Sequence, residues 1–227
     1  FGSNANLSSE FTKAYMDGFQ GKRIDKKSVL TMVKHFPGGG PQEDGLDPHL
    51  YSGRNQIYPG DNFNYHLKPF EEAINNGLKV IMPYYGIPID QTSENIAMAY
   101  NKDILTDLLR EKLGFNGVIC TDWGIISGRH WGVDNLSIKE RYKKSIDAGV
   151  DQYGGESSPK YILDLVKDNE ITEERINFSV KKILINKFEL GLFDEPFVDE
   201  QSVIKKVGIE PYINKGILAQ KKSVVLL

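Results

Sequence analysis

One cysteine, Cys120, stands among 227 residues. An intrachain disulfide and a thiolate metal cluster are therefore excluded, and its place inside an apolar run marks it as a small core residue. Charge of one sign is also scarce: 28 Lys and Arg face 31 Asp and Glu, a net charge of −3 with no long run of either sign. Nucleic acid and anionic membranes need concentrated positive potential, so neither is an expected partner. No apolar stretch approaches the roughly 18 residues of a membrane span.

Other absences narrow the chemistry. The four histidines, His35, His49, His66 and His130, show neither HExxH nor HxH spacing, and no Asp/Asn series matches a calcium loop. A catalytic metal is not expected. The triple glycine Gly38 to Gly40 lacks the G-x-x-x-x-G-K-[ST] frame and a following helix, which argues against phosphate binding. Without a G-x-S-x-G elbow, a serine hydrolase of that design is excluded. The chain opens at "FGSNANLSSEF", with no Met and no charged-then-apolar leader, and reads as a mature or truncated start whose compartment is left open. Asn6, Asn135 and Asn177 begin N-x-S sequons, which matter only on a secretory route.

What is present is a globular composition, 40% hydrophobic and 11% aromatic, sufficient for one large domain or two small ones. Apolar spacing of three and four, closed by glycine, predicts helices from Ser9 to Gln20, with Phe11, Tyr15 and Phe19 on one side, and in "YHLKPFEEAINNG" and "NKDILTDLLREKLG". A capping box, Ser137 with Glu140, opens another. Ser158 and Pro159 open a short helix, and Thr172 opens a long one that closes at Gly191.

Between them lie short runs that do not alternate, at 28–33, 78–82, 117–121 and 148–153. Such runs bounded by helices read as strands of a covered parallel sheet. Their ends carry the polar groups: Lys34 and His35, Tyr84 and Tyr85, Asp122 and Trp123, then Gly154, Gly155 and Glu156. Parallel strands put all these ends on one side, the layout of a site on a (β/α) barrel or an open doubly wound sheet. After His35 comes a loop of about thirty residues rich in Gly, Pro, Asp and Asn, a length that usually signals a lid or binding site.

Four strand-helix units cannot close a barrel of eight strands and about 250 residues. The final "KKSVVLL" reads as a strand that stops, so the chain is expected to be a fragment cut on both sides. Asp122 is a carboxylate at a strand end, on the same face as a lysine, a histidine and two tyrosines, which suit a hydroxyl-rich ligand. Lys34 within a few ångströms would favour its ionised form. Trp123 offers a face for a sugar ring. The bland alternative makes Asp122 a helix cap and Trp123 a core residue.

The runs "VKHFPGGG", "IMPYYG", "ILTDLLREKLGFNGVICTDWG", "AGVDQYGG" and "EERINFSVKKILINKFELGLFDEP", in that order and followed by "KKSVVLL", closely resemble glycoside hydrolase family 3, the family of many β-glucosidases. The resemblance implies an α/β fold of the (β/α)8 TIM-barrel type, with this chain holding the second half in four parallel strand-helix units. Residues 1–197 would be that half and 198–227 a connector towards an α/β sandwich domain. The missing half-barrel and the sandwich would be its partners. No cofactor is implied.

The family's Ser-Asp-Trp motif falls on Thr121-Asp122-Trp123, which makes Asp122 the implied nucleophile. The sugar-binding Lys-His pair falls on Lys34 and His35, the tyrosine after the next strand on Tyr85, and Trp123 lines the pocket. The resemblance puts the general acid/base of multidomain members beyond Leu227. One branch uses an Asp-His pair after the Lys-His motif, which "LDPH" resembles through Asp47 and His49; these read as loop structure or sugar contacts, with an acid/base role as the alternative. The implied activity is removal of β-linked sugar, glucosyl first, with β-N-acetylhexosaminidase or β-xylosidase as family alternatives. Outside the family, a Schiff-base aldolase using Lys34 and a non-catalytic carbohydrate-binding protein remain as rivals.

Overall fold

The computed structural model describes residues 2–226. Contacts divide the chain into two compact units, one ending at Leu190 and the other beginning at Gly191. In the first, helix α1 (Ala5–Gln20) starts where the Asn4 side chain accepts the Leu7 N–H and ends at Gly21, whose φ of 74° suits glycine. It packs on α2 (Phe63–Asn75). Its buried face is Ala5, Ser8, Thr12, Met16 and Gln20, whereas Phe11, Tyr15 and Phe19 are about half exposed. The aromatic stripe therefore lies outside the core, and its Tyr15 and Phe19 line a groove shared with Val29, Met32, Val33 and Lys34.

Strands β1 (Met32–Phe36), β3 (Val80–Pro83) and β5 (Val118–Ile119) form a parallel sheet in that order. Val33 pairs with Ile81, and Ile81 with Ile119. The fourth expected strand contracts to one parallel bridge, Cys120 to Gln152, because the Gly154-Gly155 backbone leaves the sheet at once. The first strand lies four residues later than the apolar run suggested: Val29 is exposed, and pairing begins at Met32. Sequence order equals spatial order across the sheet, as in a barrel wall; a doubly wound sheet reverses direction at its switch point. A small parallel pair, β2 (Asn55–Gln56) with β4 (Ile87–Pro88), ties the long loop to the segment after β3.

The core gathers Phe36, Ile81, Tyr85, Tyr100, Leu105, Leu109 and Ile119, all buried. Asp103–Lys112 winds as a π-helix. The capping box of Ser137 and Glu140 opens α3 (Ile138–Ala148), α4 spans Lys160–Lys167, and Thr172 caps α5 (Glu173–Glu189). A buried network links these elements: Asp151 accepts from Arg110, from the Ile119 N–H and from Ser179. Arg175 donates to the carbonyls of Ile146 and Val150.

The second unit holds α6 (Glu200–Lys206), capped by Asp199, and α7 (Glu210–Ser223). The expected strand in "KKSVVLL" is not formed: Lys221 to Ser223 complete α7, residues 224–226 are irregular, and Leu227 lies outside the described residues. Valine's β preference yields because a strand needs a paired neighbour to satisfy its backbone. Among the described residues no helix is long and apolar enough to cross a membrane.

Candidate active site

Asp122 leaves the sheet directly after β5 and the Cys120–Gln152 bridge. It is buried; its Oδ1 accepts the Trp123 N–H at 2.7 Å, and its Oδ2 stands 3.2 Å from His35 Nε2. Burial pushes the carboxyl pKa up, but His35, the Trp123 N–H and the Tyr85 hydroxyl outweigh it, and the net shift is downward. The group is thus held as a carboxylate. Neighbouring Cys120 moves the other way, to about 11, through burial first and the Asp122 charge second.

Tyr85 follows β3 and is buried; its hydroxyl donates to the Trp123 carbonyl at 2.8 Å. Burial, reinforced by Asp122, raises its pKa, so it remains a neutral donor. Its twin Tyr84 turns to the long loop, where the hydroxyl accepts from Gln42 Nε2 at 2.6 Å, and its ring lies 5.0 Å from that of His35.

Lys34 departs from the expectation that it would stand against Asp122. It is exposed and is among the residues lining the groove beside α1, while His35 makes the contact with Asp122. The Lys34–His35 and Phe36–Pro37 peptides are both cis. His35, rather than Lys34, supplies the nearby nitrogen that favours the ionised carboxylate.

The helix-cap alternative for Asp122 also fails, since turn residues, not a helix, follow it. Trp123 is 54% exposed, so it is no core residue. One side of its indole is seated on Gly154 and Gly155: a Cβ at either position would come within 2.5 or 2.6 Å of the ring. Only glycine permits that approach. Thr121, fully buried, accepts the Gly154 N–H on Oγ1 at 3.0 Å, which explains why a hydroxyl residue precedes the acid.

The long loop brings Asp47 and His49 to the same place. His49 Nδ1 lies 2.7 Å from Asp47 Oδ1, and its ring meets the Tyr85 ring edge-on at 4.8 Å. The His49 backbone and ring contacts hold the Asp47 pKa low. The loop is pinned by Trp131, whose indole N–H donates to the Pro48 carbonyl at 2.9 Å. Neither Trp131 nor Arg129 stood out in the sequence. Arg129 lies 5.1 Å from the Tyr85 ring centre and donates to the Trp123 carbonyl at 3.3 Å. Nothing local marks it, since its importance comes only from where the turn carries it. Among the described residues no three His, Cys, Asp or Glu side chains converge to hold a metal ion.

The constellation is a buried carboxylate with His35 and Tyr85 around it, beside an open indole. The family model for the glycosyl hydrolase family 3 N-terminal domain matches residues 1–185. The chain belongs to glycoside hydrolase family 3. Two curated relatives align over the whole chain: β-glucosidase C of Emericella nidulans at 47% identity and a periplasmic β-glucosidase/β-xylosidase of Dickeya chrysanthemi at 34%. The chain spans only 38% and 39% of their respective lengths. The crystal structure of a β-glucosidase from Listeria innocua matches all of this chain and 31% of its own, with a TM-score of 0.83 and 26% identity.

Proposed function

We propose that the protein carrying this chain is a retaining β-glycosidase that removes β-linked sugar, glucosyl first, from non-reducing ends, with Asp122 as nucleophile. The observation that carries the reading is the buried Asp122 carboxylate, held ionised by His35 and bordered by Tyr85 and Trp123. Asp122 would attack the anomeric carbon while a proton donor protonates the leaving oxygen; water then releases the sugar from the glycosyl-enzyme. His35 and Tyr85 would bind sugar hydroxyls and orient the ring on Trp123. In this reading the chain is the second half of a (β/α)8 barrel, and the groove between α1 and β1 faces the other half. Residues 198–227 would lead to the sandwich domain. Incubating the full-length protein with a 2-deoxy-2-fluoro-β-glucoside should leave the sugar esterified to Asp122, and Asp122→Asn should abolish both labelling and turnover. Labelling of another residue would sink the assignment.

The Asp47–His49 pair supports a second reading of the proton donor. It is hydrogen-bonded as a dyad and lies against Tyr85, within the same mouth as Asp122. If His49 protonates the leaving oxygen, His49→Ala should lose most turnover on poorly activated glycosides, whereas on an activated aryl glycoside, whose leaving group needs no proton, azide should speed release of the glycosyl-enzyme as glycosyl azide. Absence of both effects would assign the donor to a residue outside this chain.

A further inference from the structure

The end of the fourth strand position reads Gly154-Gly155-Glu156, and Glu156 has no part in the chemistry above. Its Oε1 accepts three hydrogen bonds at 3.0 Å each, from the Ile126 N–H, the Ser127 N–H and the Ser127 hydroxyl. All three donors belong to the turn that leaves directly from Asp122 and Trp123. Other groups hold that turn by its carbonyls: Tyr85 and Arg129 donate to Trp123, Tyr100 to Ile125 and Arg141 to Ile126. Glu156 instead gathers N–H groups, and a carboxylate accepting several N–H bonds is among the stronger anchors a turn can have.

We propose that Glu156 is a positioning residue for this turn, fixing through it the direction of the Asp122 carboxylate and the plane of the Trp123 indole towards a bound sugar. The inference rests on the glycosidase reading. In this role Glu156 acts through the turn and not on the sugar itself. It acts because only two residues separate Trp123 from Ile126, and three separate Asp122 from it, so a shift at Ile126 is transmitted to both.

The test is steady-state kinetics of the full-length protein on 4-nitrophenyl β-glucoside, with Asp122 labelling by a 2-fluoro glucoside as a second readout. Glu156→Ala should lower kcat about tenfold to a hundredfold, the cost of roughly an ångström of misplacement, and slow labelling in step. Glu156→Gln keeps an acceptor oxygen and should recover kcat to within about threefold of the wild type. Unchanged kcat in Glu156→Ala, or a Gln variant as poor as the Ala variant, overturns the proposal. If the Ala variant does not fold, Glu156→Asp decides: its reach is one methylene shorter, and an unchanged kcat there overturns the proposal equally. A wild type that is neither active nor labelled at Asp122 overturns the glycosidase reading, and this inference falls with it.

Discussion

His35 Nε2 stands 3.2 Å from Asp122 Oδ2, bridging the ends of β1 and β5 across the sheet. Burial opposes the Asp122 charge, and the His35 contact is the largest of the effects that restore it. The wild-type carboxylate therefore ionises below 3.8, the ordinary aspartate value. In His35→Ala that support is removed while burial stays, so the pKa rises. The acid limb of the Asp122 labelling rate should move to higher pH in the variant. A limb that does not move would show that His35 is not what keeps the nucleophile charged.

Thr121 tests the link between the acid and the fourth strand position. Its hydroxyl satisfies the Gly154 N–H in a fully buried place. Thr121→Ser keeps the oxygen and should unfold in urea close to the wild type. Thr121→Val fills nearly the same volume but leaves that N–H unpaired, at a cost of about 1–3 kcal/mol. Equal stability of the two variants would remove the explanation offered here for a hydroxyl at this position.

The indole seat makes a prediction about binding. At Gly155, φ is 67° and a Cβ would meet the Trp123 ring at 2.6 Å, so Gly155→Ala must displace the indole. The expected result is a rise in KM of about tenfold, equivalent to about 1.4 kcal/mol of lost ring contact. At Gly154 the added Cβ also meets the Thr121 carbonyl at 2.6 Å, which is backbone and cannot swing aside. Gly154→Ala should accordingly reduce stability as well as binding. Unaltered KM in Gly155→Ala would mean that the sugar does not rest on Trp123.

Local signals were the legible ones. The caps at Ser137 and Thr172 and the glycine stop at Gly149 are written within a few residues, and the structure has them. Strand ends pointed to His35, Tyr85 and Asp122, because parallel strands bring their ends to one side whatever lies between. The choice of His35 over Lys34 for the contact with Asp122 was not legible, since it depends on how the irregular end of β1 sits relative to β5. Nor was the outward stripe Phe11, Tyr15 and Phe19 on α1: apolar spacing defines a face, not the neighbour that covers it. Arg129 and Glu156 act across the fold, at 44 and 30 residues from Tyr85 and Ile126, where pattern carries no information.

The buried pair of Arg110 and Asp151 yields a prediction about stability rather than chemistry. The Asp151 side chain is fully buried and lies 2.5 Å from Arg110 Nη2, while also accepting from Ile119 and Ser179. Burial lowers the Arg110 pKa and the Asp151 charge opposes that shift, so the cation depends on its partner. Asp151→Ala would strand a largely buried guanidinium and two donors, for a loss of about 3–5 kcal/mol. Adding Arg110→Met to that variant removes the stranded charge and should recover part of the loss, because the penalty belongs to the unpaired ion more than to the missing bridge. Urea unfolding of the full-length protein as single and double variants measures both steps. A double variant less stable than Asp151→Ala alone would show that Arg110 acts chiefly through the carbonyls of Phe115 and Gly117, to which it also donates.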